Sequence, residues 1–188
     1  MPTSSTAIST PTLAKYSKAI TAAEELKQFG FKATPRQVEL GIRETHWPGR
    51  FQILPPSPAT NGHTVVLDVA HNPAGAWALR SALSESFPDR SFTIVFGAMR
   101  DKAIQEMADI LFPLAEHVIV THIDNPRAAG ADELLQAGSR TGAEIHAESD
   151  VAAALHRAFD QTPKGGLIVV TGSIFLIGDT MKELSIPT

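Results

Sequence analysis

At 188 residues the chain is long enough for one α/β domain with an appendage and short for two full domains. Hydrophobic residues make up 43% and charged residues 19%, as in an ordinary folding chain rather than a disordered or membrane one, and a net charge of -4 without a Lys/Arg run gives nucleic acid no footing. Cysteine is absent, which excludes disulfides, thiolate metal sites and a cysteine nucleophile and fits a cytoplasmic location; no apolar run approaches the roughly 20 residues that span a bilayer.

In chain order, the first twelve residues, MPTSSTAISTPT, have neither the basic nor the apolar part of a secretory signal and read as a disordered lead-in. Leu13, Tyr16, Ile20, Ala23, Leu26 and Phe29 recur every three or four residues, which predicts an amphipathic helix closing at Gly30. A second short helix starts at TPRQ, where Thr34 can cap, Pro35 suits the first helical position and Gln37 can complete a capping box, with Val38 and Ile42 on the buried face. The stretch HWPGRFQILPPSPATNG, with four prolines and two glycines, is a linker enclosing one short strand, Phe51 to Leu54, and it separates the helical appendage at 13–45 from the main domain at 46–188.

Beyond that boundary, apolar runs alternate with helix-length segments. The predicted strands are TVVLDV, FTIVFG, HVIVTH, AEIHA and LIVVTG; the predicted helices run from Pro73 to about Phe87, about Lys102 to Leu111, Ala131 to Ala137, Val151 to Phe159 and Ile174 to Leu184. Short, nearly all-apolar strands separated by helices imply an α/β fold, a Rossmann-like, doubly wound, mostly parallel sheet with helices on both faces.

In such a sheet the residues that follow each parallel strand meet on one edge, where ligands bind. Asp68, His71 and Asn72 follow the first; Arg100, Asp101 and Lys102 the second; Thr121, His122, Asp124 and Arg127 the third; Thr171 and Ser173 the fifth. Several have structural explanations. Asn72-Pro73 is a good helix start, Asp124-Asn125-Pro126 an ordinary Asx turn, and Asp101 a favourable charge near a helix N-terminus. Thr171-Gly172-Ser173 can be a cap or an anion site, since free amides converge there. Asp68 is harder to explain away, because a carboxylate ending a buried strand needs a bonded partner. The first strand carries no G-x-G-x-x-G, the chain has no P-loop or G-x-S-x-G elbow, and the histidines form no H-x-x-x-H pair, so neither a dinucleotide nor a zinc site is expected.

Taken together, WPGRFQIL, LDVAHNP, VFGAMRDK and VTGSIFLIGD, in this order and spacing, resemble the carboxy-terminal part of the folylpolyglutamate synthase/dihydrofolate synthase family of the Mur ligase superfamily, from about Leu13 to about Leu184. The resemblance implies an ATP-dependent ligase joining L-glutamate to folate or dihydropteroate through an acyl phosphate, with magnesium held by a P-loop ATPase domain that precedes this one. It casts 13–45 as the last helices of that ATPase domain and 46–188 as the Mur ligase C-terminal domain, by itself inert for ligation. It further implies that Arg50 and Asp68 contact ATP, that His71 donates to the glutamate carboxylate with Ser173 beside it, and that Asn72, Lys102 and Arg127 are lesser candidates. No residue is expected to be a covalent nucleophile. Where the family reads D-K-D, this chain has Asp101-Lys102-Ala103, which removes the second acid. A stand-alone ligand-binding module and a muramyl-peptide or cyanophycin ligase domain are the alternatives.

Overall fold

β-branched residues crowd χ1 in a helix and fit the pleat of a strand, and the sequences TVVLD, FTIVF and LIVVT, apolar nearly throughout, suit strands covered on both sides. The computed structural model describes residues 19–45, 47–88 and 90–186 and arranges them as two compact units, Met1–Trp47 and Pro48–Thr188. The expected lead-in at 1–12, and the expected helix as far as residue 18, lie outside the described residues.

In the first unit, α1 covers residues 19–26 and tightens into a 3-10 turn, Lys27–Phe29, that ends at Gly30 in the left-handed region with φ 90°. Helix α2, Pro35–Glu44, opens with the capping box read from TPRQ: the Thr34 hydroxyl accepts from the Gln37 N–H, and the Thr34 N–H donates to the Gln37 side chain at 2.8 Å. Val38 and Ile42 are half-buried on one side of this helix.

The second unit holds a six-stranded sheet: β1 (Gln52–Leu54), β2 (Thr64–Asp68), β3 (Phe92–Phe96), β4 (Ala115–Thr121), β5 (Glu144–Glu148) and β6 (Leu167–Thr171). Its order is β1-β2-β6-β3-β4-β5, with β1 antiparallel to β2 and the rest parallel. One face is covered by α3 (Pro73–Ser86), α4 (Ile104–Leu111) and α5 (Ala131–Gly138), whose Leu79, Leu83, Met107, Leu111 and Leu134 pack on Val66, Ile94, Phe96, Val118 and Val169. The other face is covered by α6 (Val151–Gln161) and α7 (Ile174–Glu183), through Leu155, Ala158, Leu176, Ile177 and Met181 against Leu67, Val95, Ile119, Ile168 and Val170.

The doubly wound expectation is met, and differences in element ends have local causes. Helix α4 begins at Ile104 rather than Lys102, because Arg100 to Lys102 form a turn closed by the Lys102 N–H on the Met99 carbonyl. Phe51 stays outside β1 with φ 47°, its N–H bonded to the Asp68 carboxylate instead of a strand partner.

Strand β6 decides where a ligand can enter. Its following helix, α7, lies on one face, while α3 and α4, which follow its neighbours β2 and β3, lie on the other. Adjacent parallel strands whose connections leave on opposite faces open a crevice at their carboxyl ends. Among the described residues no helix is long and apolar enough to cross a membrane.

Candidate functional site

The crevice is framed by three strand ends in register. Asp68 pairs with Thr171, and Thr171 with Phe96, so the loops after β2, β6 and β3 emerge side by side. Close approach at this point depends on Gly172. Its φ is 112°, and a Cβ there would stand 2.5 Å from the Gly97 carbonyl oxygen and 2.8 Å from the Phe96 ring. Gly49, at φ 72°, plays the same part on the flank: a Cβ would stand 2.7 Å from Ile177, and its carbonyl accepts from the Val69 N–H at 2.8 Å. That bond draws the WPGR turn against the end of β2. Because β1 runs antiparallel with Gln52 opposite Leu67, Arg50, an exposed residue, is delivered to the carboxyl end of the sheet beside Asp68.

Asp68 is only 9% exposed, and both its oxygens are engaged: Oδ2 accepts from the Phe51 N–H at 2.8 Å and Oδ1 from the Ala70 N–H at 2.9 Å. This answers the cost of burying a carboxylate there. His71 is exposed, and its Nδ1 lies 2.9 Å from the Val69 carbonyl oxygen. Asn72 is the N-cap of α3, its Oδ1 accepting from the Gly75 N–H at 2.8 Å, so its side chain is committed to the helix start.

Ser173 is buried at 2% exposure and caps α7, accepting from the Phe175 N–H at 3.2 Å. It therefore shapes the N-terminus of α7, where the amides of the first turn and the helix dipole favour an anion. Thr171, fully buried, has a hydroxyl with no hydrogen-bond partner.

The remaining candidates form a second group. The Lys102 ammonium is 3.0 Å from Asp101 Oδ2, and this bond, ahead of the more distant charge of Arg127, holds the Asp101 carboxyl below the usual carboxylate range. Arg127 is exposed on the loop after β4, with its N–H on Asn125 Oδ1 at 2.9 Å. Asn125, not Asp124, makes the Asx turn. The two loops are zipped together: Arg100 N–H donates to the Arg127 carbonyl at 2.8 Å, the Arg100 guanidinium to the Ala128 carbonyl at 3.2 Å, and Met99 bridges Ala128. With strands about 4.8 Å apart, Lys102 and Arg127 belong to a part of the edge about 10–15 Å from Asp68.

The structure thus gathers Arg50, Asp68, His71 and Ser173 and sets Lys102 and Arg127 apart. Sequence reasoning passed over the apolar rim. Trp77 on the second turn of α3 is 56% exposed, and Ile174 and Phe175 on the first turn of α7 are 63% and 43% exposed. For Trp77 the signal was present, since it falls off the Ala76-Leu79-Leu83 stripe that α3 turns to the core. Among the described residues, no cluster of three or more His, Asp or Glu could hold a metal ion.

The family model described as "Mur ligase, glutamate ligase domain" matches residues 49–174. The "Probable bifunctional folylpolyglutamate synthase/dihydropteroate synthase" of Halobacterium salinarum is 36% identical over 140 residues, covering 74% of this chain and 16% of that protein. The "Dihydrofolate synthase/folylpolyglutamate synthase" of Mycobacterium tuberculosis is 33% identical over 156 residues, 75% of this chain and 31% of that protein. Among solved structures, "E.coli FolC in complex with DHPP and ADP" superposes with a TM-score of 0.76 at 27% identity, over 89% of this chain and 38% of that one. The chain spans well under half the length of each.

Proposed function

The chain belongs to the Mur ligase family through its glutamate ligase domain, and from that premise we propose that it is the carboxy-terminal domain of an ATP-dependent ligase that joins L-glutamate to folate or dihydropteroate. One observation carries the reading. The family match begins one residue before Arg50 and ends one residue after Ser173, so every candidate residue lies within it, and the fold brings Arg50, Asp68, His71 and Ser173 to one crevice.

In this reading Arg50 and Asp68 face the ATP, and His71 and the N-terminus of α7 at Ser173 face the glutamate. Asn72 holds α3 in place, and Lys102 and Arg127 sit on the outer rim. Magnesium would travel with the nucleotide phosphates, its protein ligands supplied by a P-loop ATPase domain beyond these residues; 13–45 are that domain's last helices. The reaction is cytoplasmic, where ATP is available.

The domain's task is assembly. An acyl phosphate in contact with water hydrolyses, so a second domain that closes over ATP, acid and amine both positions the amine and excludes water. Ile174 and Phe175, exposed on the first turn of α7 directly after Ser173, add apolar surface suited to such closure.

The test is ATP-dependent incorporation of labelled glutamate into folate or dihydropteroate. The chain alone is expected to show none; in one polypeptide with a P-loop domain, turnover is expected, and Arg50→Ala or Asp68→Ala is expected to impair ATP use. Glutamate addition by the chain alone would refute the domain assignment, and amino-acid addition to a muramyl precursor instead of the pterin would transfer it to the muramyl ligases.

A further inference from the structure

Imidazole has two nitrogens, and what one does fixes what the other can do. The Val69 carbonyl oxygen, 2.9 Å from His71 Nδ1, can only accept, so Nδ1 carries the proton and donates. Whenever the exposed ring is neutral, its other nitrogen, Nε2, then carries the lone pair. A lone pair repels a carboxylate and attracts an ammonium. The Val69 carbonyl is itself held, because the Ala70 N–H of the same planar peptide is bonded to Asp68 Oδ1 at 2.9 Å. The tautomer is therefore built into the end of β2.

We propose that His71 receives a proton from the α-amino group of the incoming glutamate, rather than donating to its carboxylate. This rests on the glutamate-ligase reading above and assigns the two ends of the substrate. The carboxylate lies at the N-terminus of α7, and the amine lies at His71, on loops from neighbouring strands about 4.8 Å apart. In the step, the proton leaves the ammonium nitrogen for Nε2 and frees the nitrogen lone pair. That pair forms the C–N bond to the acyl carbon while the carbon–oxygen bond to phosphate breaks, and the departing phosphate carries off the second proton of the attacking nitrogen, leaving the amide N–H. His71, now an imidazolium donating at both nitrogens, returns its proton to solvent. An unprotonated amine is required for attack, and a positioned base supplies it.

The full 188-residue chain, labelled with ¹⁵N, tests this by imidazole and amide NMR at neutral pH, titrated with L-glutamate and separately with glutarate, which has both carboxylates and no amine. His71 is expected in the Nδ1–H form. L-Glutamate is expected to shift its Nε2 resonance together with the first-turn amides of α7, while glutarate shifts only the α7 amides. An Nε2–H tautomer in the free chain overturns the proposal. So does an equal Nε2 shift with both ligands, or α7 shifts with no response at His71, and these leave the glutamate site standing. If neither ligand moves His71 or α7 at high millimolar concentration, the glutamate site falls and the proposal with it.

Discussion

Two buried threonines at opposite ends of the same sheet are treated differently. At the amino end of β3, the Thr162 hydroxyl lies 2.7 Å from that of Thr93 and 2.6 Å from the Ala158 carbonyl. The Thr162 hydroxyl is the donor toward both oxygens, so both hydroxyls have a partner. At the carboxyl end of β6, Thr171 is fully buried with a hydroxyl that meets no partner. Nearby, His71 uses one ring nitrogen of two. The contrast belongs to these threonines and not to every polar group, since His63 Nδ1 and Gln161 Oε1 near the amino end are also buried without a partner; what sets the carboxyl end apart is that its unpartnered hydroxyl borders a crevice.

The strongest way to break the contrast is Gly172→Ala. A methyl group at φ 112°, 2.5 Å from the Gly97 oxygen, adds backbone strain to a clash between β6 and β3; a loss of about 3–5 kcal/mol is expected in urea unfolding. An unchanged midpoint would mean that the two strand ends separate easily.

Asp68→Ala comes next. It leaves the Phe51 and Ala70 amides without their acceptor, and a loss of about 3 kcal/mol is expected. Asp68→Asn, which keeps one acceptor oxygen, should lose less. If Asp68→Ala keeps full stability, the carboxylate serves ligand alone, and the two amide bonds are incidental.

Both effects bear on what could be read from the chain. The parallel strands were legible because runs such as LIVVT can satisfy their burial only between two helical layers. The candidates at the strand ends were legible too, since parallel strands place their last residues on one edge. Strand order was not: β6 inserts between β2 and β3 only through the return of α6 across the opposite face, which no local pattern encodes. The bond from Phe51 to Asp68 spans seventeen residues and depends on β1 turning antiparallel. The need of Asp68 for a partner was readable, but that two backbone amides meet it was not. Likewise, Asn72 could be read as a cap from its neighbour Pro73, whereas the tie between the loops at Arg100 and Ala128 joins residues with no shared motif.

The threonines themselves give a smaller pair of effects with opposite signs. Thr93→Val removes a satisfied bond and should cost about 1 kcal/mol, while Thr171→Val removes an unpartnered hydroxyl and should stabilise by up to about 1 kcal/mol. Thr180, buried and unpartnered in α7, is the control. Thr180→Val should raise the unfolding midpoint without touching ligand affinity. Thr171→Val should raise it and weaken nucleotide or glutamate binding if its hydroxyl is held in reserve for ligand, and equal behaviour of the two variants would make Thr171 a packing residue only.

The smallest effect concerns pH at the rim. The Asp101 carboxyl is held below the usual carboxylate range chiefly by its bond from Lys102, and that of Asp150, the N-cap of α6, chiefly by the Ala153 amide. A lowered folded value means that each contribution to stability is present above the unfolded carboxylate range and disappears as pH falls through the folded value. Both groups are exposed, so the effect is read as a titration midpoint, by carboxyl NMR, and not as a melting change. Lys102→Met should move the Asp101 midpoint upward and leave Asp150 where it was. If Asp101 stays low without Lys102, then its own backbone amide and, after it, Arg127 hold it, and Lys102 is not what sets the charge of the outer rim.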